Sequence, residues 1–62
     1  MTTETEAERR MGRVHFIHGS VEGLIKLAKA EKFDMLAYLL ESAKLECATV
    51  EAGLKSGIAN SE

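Results

Sequence analysis

The sequence predicts an all-α fold: an antiparallel helical hairpin that dimerises into a four-helix bundle. Three observations predict it. The 62 residues include no proline, so no position bars a continuing helix. Apolar residues recur in two long stripes at spacings of three and four, the period of one helix face. Only Lys32–Phe33–Asp34 separates the stripes, and so short a connection makes helices antiparallel neighbours.

The first predicted helix covers about residues 5–32. Its stripe runs through Met11, Val14, Ile17, Val21, Leu24, Ile25 and Ala28. Thr3 and Glu6 have the spacing of a capping box, and Glu22 stands four residues before Lys26, the favourable order for a helical ion pair. Gly12, Gly19 and Gly23 each cost roughly 1 kcal/mol relative to alanine inside a helix, so a bend is expected near Gly19. Two other readings of this stretch compete. Ser20 could cap a shorter helix over 21–32. Arg13 to His18 could form a strand with Val14 and Phe16 on one side.

The second predicted helix covers about residues 34–56. Leu36, Leu40, Ala43, Cys47, Val50 and Leu54 form its stripe. Asp34 is the expected N-cap, and Phe33 is placed to pack on Tyr38 as a hydrophobic staple. Glu51 and Lys55 form a second favourable pair. Gly57 offers a left-handed stop, after which the tail 57–62 is expected to fray.

Size points to a partner. The composition is 45 % apolar, but eight of those residues are alanine. A chain of this length buries only about 60 % of its unfolded surface. One cysteine excludes an internal disulfide, so a second copy is the expected staple. With Leu36, Leu40, Cys47 and Leu54 turned towards the first helix, Tyr38, Leu45 and Ala52 fall on the opposite side, with Met35 near them. These four are the predicted dimer interface, and Leu45→Lys is expected to split it.

The formal net charge of −2 argues against a generic polyanion binder. Residues 9–33 carry a net +4 and residues 34–62 a net −3, a balance that suits two antiparallel neighbours. Arg9, Arg10, Arg13 and His15 are the candidate contact for an anionic partner, offset by Glu4, Glu6 and Glu8 just before them. Nucleic acid is not the favoured partner; a protein partner besides the chain itself remains in view.

His15, His18 and Glu22 have a spacing that would bring them to neighbouring turns. A zinc site needs three or four supported ligands, and no cysteine lies nearby, so they are read as surface residues and no metal is predicted. Cys47 is read as a small buried hydrophobe. No acid–histidine–nucleophile set and no glycine-rich phosphate loop occur, so a non-catalytic protein without a cofactor is expected. The longest apolar run, Met35 to Leu40, is too short to span a bilayer. The acidic start and lone cysteine suit the cytoplasm.

In length and architecture the chain resembles the Rop family of small RNA-binding helical hairpins, which dimerise into four-helix bundles. That likeness spans the whole chain, is carried by no shared motif and implies the fold alone. The stretch from Arg13 to about Cys47 also resembles ribbon-helix-helix repressors, dimers that pair one strand from each chain and read the major groove. The resemblance implies a strand with Arg13, His15 and Ile17 outward and Val14 and Phe16 inward, followed by helices 20–32 and 34–47. Three features depart from that pattern: Ile17 is a poor base reader, Phe33–Asp34 replaces a glycine-containing turn, and the net charge is negative. The leading expectation is therefore a small homodimeric interaction or regulatory protein, with a DNA-binding repressor as the second reading.

Overall fold

The computed structural model describes residues 5–59, with side chains as far as Gly57. Two helices, α1 (Glu6–Ala30) and α2 (Asp34–Ala59), pack against each other along their lengths as a hairpin. The result is a slab one helix layer thick, with extents of 46 × 22 × 10 Å.

α1 begins at a capping box one step later than the sequence suggests. The Thr5 hydroxyl accepts from the Glu8 amide at 3.1 Å, and the Glu8 carboxylate accepts from the Thr5 amide at 3.0 Å. Thr3 lies outside the described residues, and its expected partner Glu6 is the first helical residue, bonded to Arg10 at 2.9 Å. Both threonines have a glutamate three residues on, so spacing alone could not choose between them.

The helix continues without interruption through Gly12, Gly19 and Gly23 to Ala30. Residues 13–18 are helical, so the strand required by the ribbon-helix-helix likeness is not formed, and Ser20 is interior rather than a cap. The reason is burial. A strand would turn Val14 and Phe16 the same way, whereas the helix buries Val14 and leaves Phe16 74 % exposed.

A Schellman motif ends α1. The Phe33 amide donates to the Ala28 carbonyl at 2.9 Å and the Lys32 amide to the Lys29 carbonyl at 3.0 Å. Lys32 takes the left-handed position, φ 63°, that glycine usually fills. The chain then enters α2 at once: the Phe33 carbonyl accepts from the Ala37 amide at 2.9 Å. Phe33 is thus the residue flanking the helix. Asp34, expected as the cap, sits inside the first turn, where its charge favours the helix dipole. At the other end α2 runs through Gly57 to Ala59, and Gly57 has no positive φ. The expected stop at Gly57 is not used, and residues 60–62 of the expected tail lie outside the described residues.

The seam between the helices has strict heptad spacing. α1 contributes Ala7, Met11, Val14, His18, Val21, Ile25 and Ala28; α2 contributes Ala37, Leu40, Lys44, Cys47, Glu51 and Leu54. All are buried or half-buried. This corrects both predicted stripes: on α1, His18 lies in the seam while Ile17 and Leu24 stay exposed, and α2 changes further. Leu40, Cys47 and Leu54 are shared, but Ala37, Lys44 and Glu51 replace Leu36, Ala43 and Val50. The seam is rotated by one residue, and Leu36 stays 47 % exposed. Small Ala28 and Ala37 are buried near the turn. Further along, the polar positions find partners across the seam, which removes the cost of covering them.

Candidate interaction surface

Rotation of the seam sorts the remaining side chains onto two unlike broad faces. Positions beside the seam on one side carry Ile17, Leu24 and Leu27 from α1 and Leu36, Leu39, Ala43 and Val50 from α2. The six large ones are all exposed, from 38 % for Val50 to 59 % for Leu27. A shallow groove on this side is lined by Val14, Ile17, Cys47, Val50 and Leu54, with Arg10, Arg13 and Glu46 at its margin. Along α1 the face reads Arg10, Arg13, Ile17, Ser20, Leu24, Leu27, Glu31: basic at the open end of the hairpin, acidic at the turn.

The other broad face is charged. Lys29 Nζ lies 2.7 Å from Glu41, and Lys44 Nζ lies 3.3 Å from Glu22. The Lys29 hydrogen bond, then its charge, holds the Glu41 carboxyl below its ordinary value. These residues, with Lys26, Ile25 and Leu45, line a second groove, and His15, Ala48, Ala52 and Lys55 border a third on the same side.

A polar contact closes the seam. His18 Nδ1 lies 2.8 Å from Glu51, with both side chains about four-fifths covered, and His18 Nε2 lies 3.8 Å from Glu22. Two pairings expected within single helices, Glu22–Lys26 and Glu51–Lys55, thus give way to partners across the hairpin. Two of the cross-helix pairs follow the basic-to-acidic sense of the sequence, and Glu22–Lys44 reverses it. Among the described residues, no three metal-binding side chains come together.

The predicted site residues are dispersed. Met35, Tyr38, Leu45 and Ala52 are all exposed, but Tyr38, Leu45 and Ala52 lie on the charged face and Met35 on the outer edge. Their assignment presumed that Leu36 is consumed inside the hairpin, which it is not. Arg9, Arg10, Arg13 and His15 are exposed on three different sides of α1, so they form no single basic patch. Cys47 is buried in the seam as a free thiol. Among the described residues, neither helix is long and apolar enough to cross a membrane.

Reading the largest apolar residues as the seam hid the apolar face. A signal was present: Lys44 and Glu51 fit the three-four spacing of Ala37, Leu40, Cys47 and Leu54 without a break. Comparison of the chain with protein-family models, curated proteins and solved structures gives no match.

Proposed function

We propose that the chain is a small non-catalytic interaction protein that works as a homodimer, two hairpins pairing their apolar faces into a four-helix bundle. The observation that carries this reading is the single layer with one apolar and one charged side. A stable domain packs at least two layers around a core. Among the described residues no side chain is fully buried, while six large apolar residues gather on one face.

The surface area agrees in size. A compact 6.8 kDa monomer exposes about 4,000 Å². This chain exposes 4975 Å², and a specific interface covers about 800 Å² on each partner. The proposed interface therefore moves from Met35, Tyr38, Leu45 and Ala52 to the face bearing Leu24, Leu27, Leu36 and Leu39.

Two substitutions test the choice. Leu24→Glu places a charge in the proposed contact without touching the seam. Each buried leucine is worth about 1.5–3 kcal/mol, and the loss counts twice in a symmetric dimer. Sedimentation should show a dimer for the wild type and for Leu45→Lys, and a monomer for Leu24→Glu at micromolar concentration. A dimer that Leu45→Lys splits and Leu24→Glu spares would return the interface to the charged side.

A further inference from the structure

We infer that the two hairpins pack upside down relative to each other, turns at opposite ends, with α1 lying along the partner's α1 and Arg10 facing the partner's Glu31. This rests on the homodimer proposed above and specifies how the second copy occupies the apolar face.

Two arrangements bring two such faces together under two-fold symmetry. With both turns at the same end, α1 lies on the partner's α2, and like charge gathers with like. The Arg10 and Arg13 pairs of both copies then crowd one end of the bundle and both Glu31 side chains the other. Inverting one hairpin relieves this. Because the α1 face runs from Arg10 to Glu31 with Ser20 at its midpoint, it is complementary to its own inverse. Ile17 meets the partner's Leu24, Ser20 meets its own copy on the symmetry axis, and each Arg10 meets a Glu31. Among the described residues, Glu31 has no ion-pair partner and Arg10 bonds to exposed Glu6 one turn away. On α2 the same inversion sets Leu39 beside the partner's Val50 and Leu36 beside the partner's Gly53, and it brings the two Glu46 side chains near the axis, the like-charge contact that the two Arg10–Glu31 pairs must outweigh. An added Cβ at Gly53, as at each of the other glycines, meets nothing within 4 Å in the free hairpin.

The experiment joins oxidation with charge exchange. Ser20 is exposed, so Ser20→Cys leaves the hairpin intact, while buried Cys47 stays out of reach. Mild oxidation of Ser20→Cys should yield a covalent dimer under conditions where the wild type yields none. Arg10→Glu and Glu31→Arg should each weaken the dimer on the order of tenfold, and the variant carrying both should regain most of that loss. A dimer by sedimentation that gives no Ser20→Cys cross-link, and that is weakened further by the double exchange, overturns the inverted arrangement and leaves the homodimer standing. A wild-type monomer at all concentrations overturns both.

Discussion

Lys29 and Glu41 make the shortest ion pair between the helices, yet both stand in solvent on the charged face. Their geometry still leaves a titration signature. Because the folded chain holds the Glu41 carboxyl below its ordinary value of 4.5, the pair favours the folded state at neutral pH. That contribution fades as pH falls through the lowered folded-state value. Lys29→Met should bring the Glu41 titration back towards 4.5, read from its side-chain carbonyl resonance. An unchanged midpoint would remove Lys29 as the cause. His18 and Glu51 mark where single residues escaped the sequence reading. Each looks like a surface residue of an isolated helix, and its role appears only once the other helix supplies a partner 2.8 Å away.

The helices themselves were legible. Spacings of three and four, the lack of proline and a three-residue connection are local properties that mark where a helix can form, even though packing supplies most of its stability. Which face of each helix turns inward is not local. It depends on what lies opposite, and here alanine and paired polar residues fill a seam that leucine was expected to hold. The chain also holds glycines on both broad faces, and these separate intrinsic helix stability from packing. Gly19 is on the charged side and Gly53 on the apolar side, and an added methyl has open space at each in the single hairpin. Alanine gains roughly 0.5–1 kcal/mol over glycine in a helix interior. Gly19→Ala should therefore raise the thermal midpoint by about 2–8 °C. Gly53→Ala should gain less, or lose, if Leu36 of a second copy occupies the space beside it. Equal gains from both, measured by circular dichroism at one protein concentration, would indicate that nothing rests against Gly53.

At the scale of the molecule, the hairpin could be read from the sequence, but the face left open could not. It depends on a one-residue rotation of the α2 seam. Burying that face against a second copy ties stability to protein concentration. The thermal midpoint should rise steadily across a hundredfold increase in concentration, and the Leu24→Glu variant should lose the dependence. A midpoint that does not move with concentration in the wild type would make the single layer self-sufficient. The 10 Å thickness of the slab has a further consequence. On the homodimer proposed above, a slab one helix deep is completed only when it meets a second copy, which makes the lone hairpin the form a protease cuts. Dilution should therefore hasten proteolysis of the wild type, and a cleavage rate that does not change with concentration would count against the pairing.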